Sequence, residues 1–277
     1  SGGFGFNMTH ADAYLKIPIA KNFGVTLSAR RAFTDVWETF TYNNFSERVF
    51  QNTKITKSSE IIENVFSETE NRFFFTDYTI KFIGKLSDKD EIMLSNLRTK
   101  NELDFISEIE LFEETSRDQL NISNTGYSGF WKRQWNPNFS HTLDAYYSRF
   151  DFDYLGNFRG DIVSVTEQDQ KRNKIKDIGL AYNTTWKIDE KRSLQSGYQF
   201  SSNDVSFGFS GFRGTEDGVT TYDVGEESIN NSHAAFTSFK YNNKNELIVN
   251  AGLRMNYFST TKRAFFEPRL YIEKKLN

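Results

Sequence analysis

The chain of 277 residues contains no cysteine. That excludes disulfides, thiolate metal sites and cysteine nucleophiles, and it leaves the compartment open. Proline occurs only three times, so few positions forbid the ladder hydrogen bonds of interior strands. No run approaches the roughly 20 apolar residues that a membrane-spanning helix needs. A helical membrane protein is thereby excluded. A barrel is not, because only alternate residues of its strands must face lipid. Histidine is scarce. His10, His141 and His233 show no His-Glu-x-x-His spacing, and no Gly-x-Ser-x-Gly elbow is present. Each histidine reads as a surface or strand polar residue, no metal or cofactor is implied, and the chain is not expected to be an enzyme. The formal net charge of −3 gives no reason to expect a nucleic-acid partner.

What is plentiful is aromatic. The 28 Phe and 13 Tyr suit pleated, half-buried surfaces. From Leu247 to Tyr257, Leu247, Val249, Ala251, Leu253, Met255 and Tyr257 alternate with Asn250, Gly252, Arg254 and Asn256, the period-two pattern of a strand with one apolar and one polar face. Ile178, Leu180, Tyr182, Trp186 and Ile188 repeat it, as do Tyr78, Ile80 and Phe82 and, more weakly, Leu143, Ala145 and Tyr147. The pattern predicts about eleven strands, roughly 3–18, 24–34, 73–87, 91–103, 122–135, 139–153, 174–188, 193–210, 231–243, 246–259 and 263–276. Many are longer than the average of about 5–6 residues in soluble domains and reach the roughly 9–11 that cross a bilayer at a tilt.

Tight polar turns at 20–22, 88–90, 136–138, 189–192 and 242–245 alternate with long polar stretches at about 35–72, 104–121, 154–173 and 211–230. Such sorting is expected of a membrane barrel with short turns on one rim and long loops on the other. The short link at 260–262 departs from it. Phe23, Trp135, Phe139, Trp186 and Tyr241 flank the short turns, and Phe73, Phe74, Phe75, Tyr257 and Phe258 lie at the opposite ends. Two aromatic girdles account for this placement, although abundance alone is an alternative. The expected fold is an all-β antiparallel transmembrane β-barrel, partial here, with about 10–11 long strands over residues 1–277.

Residues 11–34, from Ala11-Asp12-Ala13-Tyr14 through Arg30-Arg31-Ala32-Phe33-Thr34, resemble the early barrel of TonB-dependent outer-membrane receptors, particularly those of Bacteroidetes. Trp37-Glu38-Thr39 and Tyr42-Asn43 continue the likeness. Asn250-Ala251-Gly252-Leu253-Arg254-Met255-Asn256-Tyr257-Phe258, followed by Phe266-Glu267-Pro268-Arg269-Leu270, is similar to the mid-barrel hairpin of that family. The resemblance implies a bacterial outer-membrane location among outer-membrane lipids and energy-coupled import of a scarce nutrient: siderophore-bound iron, cobalamin, a glycan or a peptide. It implies the TonB–ExbB–ExbD system as partner through a plug, and leaves room for a surface lipoprotein. Family members have about 22 strands around a plug, so the chain is expected to be a stretch of barrel that begins after the plug and stops midway. Ser1-Gly2-Gly3-Phe4-Gly5 has no basic start and no apolar core, which puts any targeting segment upstream.

Two residue sets are candidates for function. Arg30, Lys81, Lys187, Arg254 and Arg269 fall on the polar strand faces and are expected to point into a lumen. Trp37, Tyr42, Phe45, Phe212 and Tyr222 fall in the long polar stretches and are expected to be loop aromatics that contact substrate. Mutually paired charges and loops packed on one another are the plain alternatives. The acidic group Glu216, Asp217, Asp223, Glu226 and Glu227 matches no calcium-loop spacing and reads as a solvated loop. A barrel that serves as an adhesin, secretion component or assembly partner is the competing function, since fold does not settle activity.

Overall fold

The computed structural model describes residues 1–37, 39–40, 67–160, 164–243 and 247–274. Twelve antiparallel strands form one sheet in sequence order: β1 (Gly2–Phe6), β2 (His10–Ala20), β3 (Phe23–Ala32), β4 (Ser67–Ser87), β5 (Asp90–Ile109), β6 (Glu114–Asn136), β7 (Phe139–Gly160), β8 (Val165–Lys187), β9 (Arg192–Thr215), β10 (Gly218–Asn242), β11 (Leu247–Phe258) and β12 (Arg263–Lys274). Every strand pairs with its chain neighbour, the up-and-down order of a barrel wall. No helix among the described residues is long and apolar enough to cross a membrane.

Two expectations need correction. The predicted strand 3–18 is two strands, because the Asn7 side-chain carbonyl accepts from the backbone N–H groups of Thr9 and His10 and turns the chain there. The long stretches 104–121, 154–173 and 211–230 are strand over most of their described residues, not loops. They are the upper halves of strands. β5 and β6 meet at a 3₁₀ turn, Glu110–Phe112, and β9 and β10 meet at Glu216-Asp217. Polar side chains do not end a strand when both of its faces meet water, so the ladder runs on after the apolar alternation stops. Glu226 therefore lies on the opposite face from Asp223 and Glu227, and the acidic group does not converge.

β8 has 23 residues, roughly 75 Å of strand at about 3.3 Å per residue, more than twice what the hydrocarbon core of a bilayer requires. The register explains the lower half. Phe82, Leu94, Gly129, Ala145, Leu180, Phe200, His233 and Tyr257 form one cross-strand row on one face. All four alternating segments of the sequence thus share a continuous apolar belt. Phe23, Trp135, Phe139, Trp186 and Tyr241 edge it near the turns. The far girdle is Tyr78, Tyr127, Tyr147 and Tyr257, with the Tyr127 and Tyr147 rings 6.3 Å apart. Phe73 and Phe75 are not part of it, since their parity on β4 puts them on the other face.

Candidate functional site

Behind the belt the sheet is polar, as in the row Thr26, Lys81, Ser95, Ser128, Tyr146, Gly179, Ser201 and Ser232. Arg30, Lys81, Lys187, Arg254 and Arg269 all have the parity of this face. They do not gather at one point. Arg30 donates through Nε to Asp77 at 2.7 Å, with its guanidinium 4.9 Å over Phe75. On the other flank Arg254 donates to Asn256 and Gln199, each at 2.8 Å, Asn256 donates to Glu267 at 2.7 Å, and Arg269 pairs with the same Glu267 at 2.9 Å. Open recesses of about 380 and 420 Å³ lie on either side of Arg254.

Above the girdle the two faces exchange character without a break in register. On β7 the belt residues are Leu143, Ala145 and Tyr147, whereas the upper apolar residues are Phe150, Phe152 and Tyr154. On β9 the belt carries Leu194, Tyr198 and Phe200, and the upper half carries Val205, Phe207 and Phe209. β4, β5 and β6 shift in the same way, to Phe73 and Phe75, to Leu103 and Phe105, and to Leu120 and Ile122. Among the described residues, strand register shifts occur only beside the tight turns. The change is therefore a phase slip in side-chain pattern on an unbroken backbone.

The slip builds an aromatic wall on the face that is polar lower down. Leu120, Tyr154, Lys171, Phe209 and Val224 form one cross-strand row, and Asp118, Gly156, Asp169, Gly211 and Tyr222 form the next. Tyr154 leans across Gly156 and donates its hydroxyl to buried Asp118 at 2.5 Å. Tyr222 leans across Gly211 and donates to Asp169. Each glycine supplies the room in which a ring lies flat on the backbone, as Gly179 also does for Tyr146. Phe209 stacks on Tyr222 at 4.7 Å, and the Lys171 ammonium lies 5.2 Å from the Phe209 ring and 5.8 Å from that of Tyr154. Loss of solvent, and then the Asp169 carboxylate, push the Tyr222 phenol up to about 12, so it stays a neutral donor at ordinary pH. Rings for stacking and a cation on one surface suit an organic ligand with anionic groups.

The sequence-predicted aromatics divide. Tyr222 is in this wall, but in strand β10 rather than in a loop. Phe212, also in a strand, has belt-face parity and points away from Tyr222. Trp37 is exposed beside Phe33, which stacks on Phe6 at 5.1 Å. Tyr42 and Phe45 lie outside the described residues. Asp118, Tyr154, Asp169, Lys171 and Phe209 were not anticipated, although Phe150-Asp151-Phe152-Asp153-Tyr154 alternates as strictly as any belt segment. His141 is a strand residue, as expected, but a buried one. It is 5% exposed, accepts from Trp135 Nε1 at 2.9 Å and packs on Trp131 and Tyr182. Among the described residues no three His, Asp or Glu side chains are placed to hold a metal.

No protein-family model and no curated protein matches the chain. Solved structures do. A RagAB peptide transporter structure aligns over 93% of this chain and 33% of its own, at 7% identity and TM-score 0.62. The outer-membrane transporter YddB of Escherichia coli aligns over 96% and 36%, at 12% identity and TM-score 0.60. The siderophore receptor PiuA of Acinetobacter baumannii aligns over 98% and 45%, at 9% identity and TM-score 0.55. The chain thus spans about a third to just under half of the length of these structures. They are transporters and receptors of the bacterial outer membrane, not enzymes. The fold that this chain shares with them is the antiparallel wall of an outer-membrane β-barrel.

Proposed function

We propose that the chain is part of the barrel of a TonB-dependent outer-membrane transporter, of the Bacteroidetes type that its sequence resembles, and that the aromatic wall above the membrane is a surface on which cargo is first held. The phase slip is the observation that carries this reading. A barrel that only anchors itself has no need to turn its apolar residues inward once it leaves the bilayer. A barrel that offers an organic ligand a surface above the lumen does. The polar face below, with Arg254 and Arg269, then lines the passage and contacts a plug. Cargo belongs to the classes of siderophore-bound iron, cobalamin, glycan or peptide. The TonB–ExbB–ExbD system supplies the energy, and a surface lipoprotein partner is compatible with the open rim.

The test uses the full-length protein in its host, with growth measured on each cargo class as the limiting nutrient. Growth on one class is expected to require both the protein and a functional TonB. Phe207→Ser and Lys171→Gln, on the exposed part of the wall, are expected to lower cargo affinity at least tenfold while barrel folding is retained. Growth that is indifferent to TonB would return the protein to the non-transporting alternative.

A further inference from the structure

The short link between β11 and β12 leaves the tall part of the sheet with an open flank. β10 pairs with β9 over 218–241 but with β11 only over 232–242, because β11 ends at Phe258 and turns at 259–262 into β12. The turn covers the first step above that. Ser259 donates its backbone N–H to the Asn231 carbonyl at 2.9 Å, and Thr260 Oγ1 donates to the Ile229 carbonyl at 3.5 Å. Strand geometry fixes what lies higher. Alternate residues point their N–H and C=O to the same side, so Glu227, Gly225, Asp223, Thr221 and Val219 aim theirs away from β9. Among the described residues no strand pairs with them. From 218 to 230 every residue of β10 except Tyr222 is exposed, whereas the stretch of β9 paired with it, 203–215, is half-buried except at Phe207, Arg213 and Thr215.

Residues 218–228 give roughly 35 Å of open edge at about 3.3 Å per residue. Proteins blunt such edges with proline, bulges, short strands or charge. This edge is long and has no proline and no bulge, and its charge is of one sign, from Asp223, Glu226 and Glu227. Two copies paired antiparallel about Gly225 would set Asp223 opposite Glu227 twice, and like charges directly opposite destabilise a sheet. The charge therefore bars self-pairing and admits a cationic strand. The two faces add a second condition. Asp223 and Glu227 lie on the belt side, whereas Tyr222 and Val224 lie on the side of the aromatic wall, where the row that begins at Leu120 ends at Val224, 58% exposed. A strand laid beside β10 would continue that row, so its wall-side positions suit apolar side chains.

We propose that the upper edge of β10 takes an extended, basic polypeptide segment as an added strand, with cationic side chains on the belt side and apolar ones on the wall side. The segment's backbone meets the free N–H and C=O groups of Thr221, Asp223, Gly225 and Glu227, which supplies affinity, and its alternation supplies selectivity. Each opposite-charge pair across the two strands adds up to about fivefold. Strand addition goes beyond the transport reading and does not depend on it.

The experiment takes the full-length protein in a non-ionic detergent and titrates it into a fluorescent, end-blocked heptapeptide of alternating lysine and valine, with binding read by anisotropy. This peptide is expected to bind at least about tenfold more tightly than the same design with glutamate in place of lysine. The Asp223→Lys/Glu227→Lys double variant is expected to reverse that preference. In an antiparallel pair the lysine N–H groups face β10, so N-methylation of the lysines is expected to abolish binding and N-methylation of the valines to leave it. Loss confined to either set supports strand addition, the lysine set marking it as antiparallel. An equal effect of the two methylated peptides, or indifference to the charge reversal, would overturn the proposal. So would failure of the lysine–valine peptide to bind, since the edge would then be closed by another part of the chain or left to solvent. Cargo uptake is a separate readout, so failure here leaves the transport reading standing, and loss of TonB-dependent uptake leaves strand addition to be judged alone.

Discussion

The lower and upper halves of β4 to β10 share one backbone ladder and solve opposite problems. On the proposed reading the solvent outside the belt face of the lower half is hydrocarbon, which accounts for Leu, Ile, Tyr and Trp on that face and Ser, Thr, Asn and Gly on the other. In the upper half water is outside, the outward face fills with Arg, Lys, Asp and Glu, and the rings turn to the other side. Backbone pairing is blind to this change, because each N–H and C=O is satisfied across the strand whichever way the side chains point. Side-chain pattern therefore reports the surroundings, while the ladder reports the fold.

The sharpest way to break the comparison is to place the same charge in both halves of the belt face. Leu180→Arg, in the belt, should cost about 2–4 kcal/mol if it lies near the bilayer midplane. Ser206→Arg, on the same face above the girdle, should stay within about 0.5 kcal/mol of the parent. Equilibrium unfolding of the full-length protein in lipid vesicles measures both. Equal costs would mean that the belt does not meet lipid.

A smaller effect tests the upper half alone. Tyr154→Phe removes the hydroxyl that Asp118 accepts while keeping the ring over Gly156. A hydrogen bond to a carboxylate contributes about 1.5–3 kcal/mol, and a loss in that range is expected in the same unfolding assay. A loss below about 0.5 kcal/mol would show that water reaches Asp118 and that the wall is loosely packed.

The glycines of β9 divide the two faces within four residues. At Gly211 an added Cβ would overlap the Gln168 carbonyl oxygen and the Tyr222 hydroxyl, whereas at Gly208 it meets open space. Gly211→Ala should cost roughly 1–3 kcal/mol through overpacking. Gly208→Ala should be neutral or up to about 1 kcal/mol stabilising, since glycine weakens a strand interior. If the two substitutions behave alike, the rings do not lie over the backbone as described.

Much of the lower half was legible in the sequence, and its physical basis explains why the upper half was not. In Leu247–Tyr257 one face must be apolar and the other polar, and that contrast appears as strict alternation. Above the girdle Arg172-Asn173-Lys174 has polar residues on both faces, so the alternation fades although the strand continues. Reading loss of alternation as loss of strand turned β-structure into loops and put Tyr222 and Phe212 together when parity separates them. The slip itself is visible in β7, where Tyr147 and Phe150 have opposite parity. A period-two search that tolerates one change of phase would have found Phe152 and Tyr154. The Asp118–Tyr154 and Asp169–Tyr222 pairs could not be read in that way, because they join strands 36 and 53 residues apart.

The smallest effect is a titration. Tyr222 has its phenol raised from an ordinary value of 10 to about 12, first by loss of solvent and then by the Asp169 carboxylate beside it. The folded-state value lies above the unfolded one, so the group's contribution to stability is fully present below pH 10 and is lost as pH rises through about 12. Absorbance at alkaline pH, compared between the full-length protein and its Tyr222→Phe variant, should isolate one phenol with a midpoint near 12. Asp169→Asn should bring that midpoint only part of the way down, because the larger cause is burial and the neutral amide leaves the ring stacked on Phe209. A full return to 10 would assign the shift to charge alone and make the wall wetter than the packing implies. A midpoint of 10 in the unmodified protein would remove the phenol–carboxylate pair, and with it the main distinction between the upper wall and an ordinary solvated strand extension.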